Sequence, residues 1–437
     1  MTQSSKENEI GTILQSFPTL RMDEDKRRDI ARHIRQEKEL LTRMKRRKMY
    51  RRVIGGIVAS CAFLLIGYQM IPSQLSRSEP IVQQGNTDAS QKTSASEIIM
   101  PSGTVLTLDR QIGAYVDEAL DKTNAVYSPE NMTIIVTDPN TGEILAMGNR
   151  SNDEDTDRLA EAVRANPDPV VAFPIVTLAA AIEEGKYNGY ETYDSGTYEI
   201  TPGKLIKDHN NGIGWGKITY EEGIQRSSHV AFAKLGYERL PKDSLQEYLK
   251  RFGFGADTDT DIFGEEAGEL PKMDTPYNVA MAATGQAGSA TAIQQVAAVG
   301  AIANGGELLR PHMAKQVHAN KEKGRQIISE KTAKQVREIL ESVVSRTAGS
   351  SKAFSIEGHS VAGRTGVVKK RDEQGKVIEG KYTLSFIGFA PSDDPKLLVY
   401  VAVDDPKTEL PGLFGVSKVV APPFKEIMEK SLQYLHQ

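Results

Sequence analysis

The chain has 437 residues, of which 39% are hydrophobic and 26% charged, enough apolar material for one large domain or two to three smaller ones. Its Gly and Pro contents are too low for a generally disordered chain. The single cysteine, Cys61, excludes an intramolecular disulfide. The net charge of -4 conceals an asymmetry, because residues 1–52 carry +7 and the remainder -11. This split indicates that the two parts meet different surroundings.

Residues 1–52 form the basic segment. A helix is predicted from Asp23 to Tyr50, because acidic residues suit its first turn and Arg and Lys crowd its far end. Its apolar stripe is only partial. Two interpretations follow: a solvated helix beside a membrane, or a docking helix for a cytoplasmic regulatory partner.

The next segment, from Val53 to Pro72, is twenty residues without a charge, long enough to cross a bilayer. Seven Lys and Arg residues between Arg43 and Arg52 precede it, which places the N-terminus in the cytoplasm and the C-terminal part outside. No cleavage site is evident after the apolar run, so we expect an uncleaved anchor. Residues 73–103, rich in Ser, Gln, Thr and Asn, are expected to be an extracytoplasmic linker.

The globular domain is predicted to occupy residues 104–437. A helix follows Asp109, and two apolar strands, 132–137 and 143–147, are joined by the turn sequence Asp-Pro-Asn-Thr-Gly. A long, mostly helical middle comes next. Three further strands, at 360–370, 382–390 and 396–403, and a closing helix at 421–435 complete the pattern. It predicts an α+β fold: an antiparallel sheet flanked by helices, with a second, all-helical lobe.

Residues 168–185 are predicted to contain a buried helix. Pro174 is tolerated only in its first turn. Ile175, Leu178 and Ile182 lie three and four residues apart, which gives a core-facing stripe, and Gly185 ends the helix.

Seven collinear segments across about 330 residues resemble the transpeptidase domain of penicillin-binding proteins. They are Leu-Thr-Leu-Asp at 106–109, Asp-Pro-Asn-Thr-Gly-Glu-Ile-Leu-Ala-Met at 138–147, the helix at 168–185, Ser-Ser-His-Val-Ala-Phe at 227–232, Gly285-Gln286 with Ala-Ile-Ala-Asn-Gly-Gly at 301–306, Val-Ala-Gly-Arg-Thr-Gly at 361–366 and Phe-Ile-Gly-Phe-Ala at 386–390. The resemblance implies the penicillin-binding transpeptidase/β-lactamase-like fold.

In this family three motifs meet in one cleft: Ser-x-x-Lys with nucleophile and base, Ser-x-Asn for proton relay, and Lys-Thr-Gly for the substrate carboxylate. The resemblance puts Val171 at the serine position and Pro174 at the lysine position, and neither side chain carries the required group. Nowhere in the chain does Lys follow Ser at the third position. The first motif is therefore predicted to be absent.

The second motif keeps Ser227 and replaces Asn by His229. One interpretation is drift in a site without chemistry; the other makes Ser227 or Ser228 a substitute nucleophile with His229 as base. The third motif reads Arg364, Thr365 and Gly366. We expect Ser227, His229, Arg364, Thr365 and Gly366 to line a ligand site in which Arg364 holds a carboxylate. The alternative is a structural ion pair.

Other site classes find little support. His209, His229 and His359 do not match a standard metal-ligand spacing, and no cofactor is expected. Trp215 lies in a Gly-rich loop and is expected to be half-buried in a structural turn. No pattern indicates nucleic-acid binding.

Together these features predict a single-span bacterial plasma-membrane protein of peptidoglycan and cell-wall metabolism. We expect its extracytoplasmic domain to be catalytically inactive and to bind peptidoglycan stem peptide or a β-lactam, as a sensing or scaffolding module among cell-wall synthesis proteins. One alternative is an active D,D-transpeptidase or carboxypeptidase with Ser227 or Ser228 as a non-standard nucleophile. Another is a structural member that pairs with an active relative.

Overall fold

The computed structural model describes residues 106–151, 163–167, 169–241, 243–262, 264–315, 324–345, 350–372, 374, 376–408 and 413–436. The predicted basic segment, membrane span and linker lie outside these residues. In the part that is described, no helix combines the length and the apolar character needed to cross a membrane.

A five-stranded antiparallel sheet forms the centre of the domain. Its strands are β1 (Asn131–Thr137), β2 (Ile144–Ser151), β11 (Ala362–Arg371), β12 (Val377–Ala390) and β13 (Leu397–Asp404). They stand in the order β11-β12-β13-β1-β2. The five predicted strands are therefore confirmed, and β1 and β2 form the predicted hairpin.

Both faces of the sheet are buried, which explains the nearly continuous apolar runs in its strands. Along β1, Ile134 and Val136 belong to one hydrophobic cluster and Ile135 to the other, as the two-residue period of a strand requires. One face packs against the terminal helices α1 (Arg110–Tyr127) and α10 (Ala421–Leu435). The other face packs against the second lobe.

Local signals set several helix ends. The side chain of Asp109 accepts hydrogen bonds from the backbone N–H groups of Gln111 and Ile112 and so caps α1. Thr291 and Gln294 form a reciprocal capping box at the start of the helix Ala292–Ala303. The closing helix α10 spans the predicted residues 421–435.

The second lobe is mainly helical. Its helices are α2 (Ala172–Glu183), α3 (Tyr220–Gln225), α4 (His229–Lys234), α5 (Ser244–Arg251), α6 (Pro276–Ala283), α7 (Ala292–Ala303) and α8 (Glu330–Ser345). A π-helical turn, Leu235–Arg239, follows α4, a 3-10 turn, Ser350–Phe354, follows α8, and α9 (Leu413–Val419) precedes α10.

The prediction of an all-helical lobe needs a correction, because short two-stranded ribbons lie among its helices. They pair β3 (Ala165–Pro167) with β8 (Ser289–Thr291), β4 (Thr192–Asp194) with β7 (Lys217–Thr219), β5 (Thr197–Thr201) with β6 (Lys204–Lys207), and β9 (Glu307–Leu308) with β10 (Arg325–Gln326). Strands of two to five residues contain too few alternations to produce a clear sequence pattern.

Candidate functional site

The start of α2 is apolar throughout. Val171 occupies the N-cap position without any side-chain hydrogen bond to the helix, and its side chain is only 1% exposed. Pro174 lies in the first turn and is buried, as is Phe173, whose ring packs edge-on against Phe254 at 4.8 Å. Gly185 follows the helix with a φ of +63°, so the predicted glycine end is confirmed.

The helix start lies directly against strand β11. A Cβ atom added to Gly366 would clash with Cγ2 of Val171 and would stand 2.8 Å from Cγ2 of Val170. Similarly, a Cβ on Gly285 would stand 2.6 Å from Cα of Val170. The fold thus brings the first and third motif positions together, and valine methyl groups fill the space between them.

The second motif lies between α3 and α4. Ser227 takes a left-handed backbone conformation with a φ of +56° and is 8% exposed. The Ser228 side chain is fully buried: its hydroxyl donates to Oδ1 of Asp208 at 2.8 Å and accepts from the N–H of Ala231 at 3.1 Å. The Ser228 hydroxyl is therefore committed to Asp208 and to capping α4.

Asp208 is an acid that sequence reasoning missed. Its Oδ1 also accepts from the N–H of Val230, and its Oδ2 accepts from the N–H of Gly196 at 2.7 Å. This 2% exposed carboxylate ties the loop after β6 to the start of α4. None of these hydrogen bonds comes from His229, so Asp208 orients Ser228 and not the histidine.

His229 begins a line of rings that leads outwards. Its half-buried ring lies 6.5 Å from the exposed ring of His209, measured between centroids, and His209 lies 5.4 Å from Trp215. The Trp215 indole is half-buried, as predicted, and the guanidinium of Arg226 lies over it at 5.4 Å. Residues between positions 209 and 229 thus form one ring cluster beside the second motif.

His229 is neutral at physiological pH. Its pKa is lowered to about 4, mainly by burial and in part by the positive charge of Arg364, while the hydrogen bond with the carbonyl of Lys207 opposes the shift. Nδ1 of His229 lies 3.1 Å from the Lys207 carbonyl oxygen and 3.1 Å from Nε2 of Gln286. Gln286 belongs to a segment that resembles the family, so the sequence did contain a signal for it.

Arg364, on β11, is a buried cation without hydrogen bonds at two of its nitrogens. It is 3% exposed, and its guanidinium lies 4.4 Å from the ring centroid of Phe232. Nε and Nη1 have no hydrogen-bond partner among the described residues. Burial lowers the pKa of Arg364 to about 9, so the group still carries its charge at neutral pH. No described carboxylate forms the structural ion pair considered from the sequence.

Thr365 is also buried, and its hydroxyl oxygen has no partner among the described residues. In the strand register Arg364 pairs with Ile387 and Thr365 with Phe386, which belong to the two different hydrophobic clusters. Successive strand residues face opposite sides of a sheet. Arg364 is therefore the residue of this pair on the second-lobe side, where His229 and Phe232 lie.

In the described part of the chain, no group of three or more His, Cys, Asp or Glu side chains is placed to hold a metal ion. The site combines the buried cation of Arg364 with the neutral imidazole of His229 and the amide of Gln286. Such a set can bind an anion, and the first-motif positions Val171 and Pro174 supply no nucleophile or base beside it.

Comparisons with known proteins show which family has this fold and these motif positions. Residues 132–429 match the model of the penicillin binding protein transpeptidase domain. The chain belongs to this family. It is 40% identical over 353 residues to stage V sporulation protein D of Bacillus subtilis, an alignment that covers 76% of this chain and 53% of that protein. It is 29% identical to a probable peptidoglycan D,D-transpeptidase PenA of Neisseria flavescens, over 76% of this chain and 82% of the relative.

Solved structures confirm the fold. The transpeptidase domain of Burkholderia pseudomallei penicillin-binding protein 3 superposes with a TM-score of 0.67 at 26% identity, over 76% of this chain and 96% of that one. Penicillin-binding protein 3 of Mycobacterium tuberculosis, in complex with aztreonam, gives 0.68 at 26% identity, over 76% and 79%. The chain spans only about half the length of the Bacillus relative. The described domain has the predicted α+β fold of this family.

Proposed function

We propose that this protein is a non-acylating member of its family that binds the C-terminal carboxylate of a peptidoglycan stem peptide. The proposal rests on a contrast between two neighbouring positions of the site, one apolar and one charged. Val171 fills the nucleophile position against Gly366, while Arg364, two residues before that glycine, keeps a buried guanidinium with unused N–H groups. Carboxylates are the usual partners of such a guanidinium.

Loss of acylation follows from the chemistry of the residues. An acyl-enzyme needs a hydroxyl nucleophile and a nearby base, and Val171 and Pro174 carry neither. The Ser228 hydroxyl is buried and already bonded to Asp208. Ser227 has no described base bonded to it. No observation favours the alternative of an active D,D-transpeptidase or carboxypeptidase with one of these serines as nucleophile.

A β-lactam is a second ligand of the same kind, because it carries a carboxylate or a related acidic group. The Mycobacterium tuberculosis relative was solved with aztreonam. In this chain we expect such a compound to bind reversibly through Arg364, without a covalent bond.

The proposed setting is the outer face of a bacterial plasma membrane. The apolar stretch from Val53 to Pro72, with its basic cytoplasmic flank, supports a single anchor. Residues 1–52 then face the cytoplasm, where a regulatory partner would read the occupancy of the external site. Sensing or scaffolding among cell-wall synthesis proteins is the role that this layout supports.

Two measurements on the purified full-length protein test the proposal. Intact-mass spectrometry after incubation with a penicillin is expected to show no adduct, and a stoichiometric adduct would overturn the non-acylating assignment. Peptide mapping would then examine Ser227 and Ser228. Binding of an acetylated Lys-D-Ala-D-Ala peptide is followed by fluorescence of Trp215, the only tryptophan of the chain.

The matched control is the same peptide with its C-terminal carboxylate converted to an amide. We expect saturable binding of the acid, and loss of that binding for the amide and for Arg364→Gln. Equal binding of acid and amide would remove Arg364 from the proposed role. No binding of either peptide would overturn the stem-peptide assignment.

A further inference from the structure

His229 has two hydrogen-bond neighbours that require different forms of its ring. The Lys207 carbonyl oxygen only accepts a hydrogen bond, whereas Nε2 of Gln286 only donates one. Both lie 3.1 Å from Nδ1. When Nδ1 carries its proton toward Lys207, the other ring nitrogen, Nε2, is left with a free lone pair. That nitrogen is the position that takes up a proton if the imidazole becomes charged.

The buried cation lies on the same side of α4 as this ring. His229 and Phe232 are three residues apart, so they share a face of the helix. The guanidinium of Arg364 lies over the ring of Phe232 at 4.4 Å, one turn from His229. Its positive charge is one reason why the imidazole is neutral.

The charged and titratable groups that act on His229 come from several elements. Arg364 on β11 opposes its protonation, and so does His209 in the loop after β6. Asp208 in the same loop favours protonation, but its two oxygens already accept three hydrogen bonds, from Ser228, Val230 and Gly196. Lys207 contributes its carbonyl group, and its side chain is exposed. The described residues therefore leave Arg364 without an anion of its own.

We propose that His229 is the second anion-binding group of this site: a carboxylate bound to Arg364 draws a proton from solvent onto Nε2 of His229, and the resulting imidazolium donates a hydrogen bond to the ligand. The inference rests on the proposed function and adds a proton to the binding step. The carboxylate neutralises the repulsion from Arg364 and places a negative charge near the ring. No covalent bond forms or breaks, and the proton comes from the buffer.

The proton makes a distinctive pH dependence. In this proposal His229 has a higher pKa in the peptide complex than in the free protein. The affinity for the peptide must therefore rise as the pH falls from the pKa of the bound state toward that of the free state. Uptake of one proton strengthens binding by about tenfold per pH unit in that range. The peptide carboxylate itself stays ionised above about pH 5 and does not contribute to the slope.

The test measures the Kd of the acetylated Lys-D-Ala-D-Ala peptide from pH 5 to pH 8 on the full-length protein. Calorimetry in two buffers of different ionisation enthalpy counts the protons taken up. Wild type is expected to show the slope and the uptake, whereas His229→Asn is expected to bind with neither. His436→Asn, which removes an exposed histidine at the end of α10, is the matched control and should behave as wild type.

The outcomes separate this inference from the proposed function. Peptide binding with no proton uptake, or with the same slope in wild type and His229→Asn, overturns the inference and leaves the function standing. If the peptide does not bind, acetate at about 0.5 M serves as the simplest carboxylate probe. NMR titration then compares the pKa of His229 with and without acetate. A raised His229 pKa in acetate would retain the proton-coupled anion site and reject the stem peptide, and an unchanged pKa would overturn both.

Discussion

Replacing Arg364 by Met is expected to stabilise the unliganded protein and to abolish carboxylate binding. Nε and Nη1 of the buried guanidinium have no described partner, and each unsatisfied buried donor costs about 1–3 kcal/mol. The contact between the guanidinium and the ring of Phe232 stabilises the wild type by about 0.5–2 kcal/mol, and this contribution is lost in the variant. Met keeps an unbranched side chain over the same ring. The expected net gain in the free energy of unfolding is about 2 kcal/mol.

A thermal scan of the full-length protein, with Trp215 fluorescence as the signal, measures this gain. For a domain of this size about 2 kcal/mol corresponds to a rise in Tm of roughly 3 °C. Peptide binding should disappear in the same variant, because a thioether offers no N–H donor.

Arg337→Met is the matched control for this experiment. Nη1 of Arg337 donates to the carbonyl oxygens of Ala303 at 3.1 Å and Ile302 at 3.4 Å, in the last turn of α7. Its removal leaves helix-end acceptors without a partner and should lower Tm. If Arg364→Met lowers Tm as much as Arg337→Met does, Arg364 stabilises the unliganded fold and the reasoning from its unused donors is refuted.

Three further predictions concern the neighbouring positions. Gly366→Ala should destabilise the protein by about 1–3 kcal/mol, because the new Cβ would clash with Cγ2 of Val171. Urea titration should show partial recovery in a Val171→Ala background, and full additivity of the two changes would contradict the contact. Ser228→Ala should lower the free energy of unfolding by about 2 kcal/mol in the same urea titration, because the buried carboxylate of Asp208 loses a donor and α4 loses its cap. An unchanged urea midpoint would argue against both hydrogen bonds. The pKa of His229 is about 4 in the folded protein, below the ordinary 6.5, so the unfolded chain takes up the proton at a higher pH than the folded protein does. The free energy of unfolding should therefore fall by up to about 3 kcal/mol between pH 6.5 and pH 4. In His229→Asn, Tm measured against pH should lack the part of the decrease that His229 causes.

The sheet could be predicted because its strands carry long apolar runs bounded by strong turn sequences. The hairpin turn at 138–142 and the closing helix are read directly from such patterns. Strand β12 begins at Val377, five residues before the predicted start at Tyr382. None of its five extra residues is buried, and Val377 pairs with Arg371 at the end of β11, which a periodicity argument does not detect.

The motif positions could be predicted, but their surroundings could not. Resemblance placed Val171, His229 and Gly366 in one cleft, and the close approach of Val171 to Gly366 agrees with that placement. The ring cluster with Trp215 and the carboxylate of Asp208 depend on how the loop after β6 folds back onto α4. Loops of this kind are fixed by tertiary contacts, and no local sequence pattern specifies them.

The energetics of Arg364 bear on why the site exists. An apolar residue of similar length would satisfy the packing against Phe232 without leaving donors unpaired, so a domain kept only as a structural partner would gain stability from losing the guanidinium. Strained or unsatisfied groups that lower stability are typical of functional sites, where stability is traded for binding. The valines at the start of α2 remove the nucleophile at no such cost, because Val171 is buried and well packed. A site that has lost its nucleophile but keeps an unpaired buried cation is organised to hold an anion, and this is why stability and carboxylate binding should change in opposite directions in Arg364→Met.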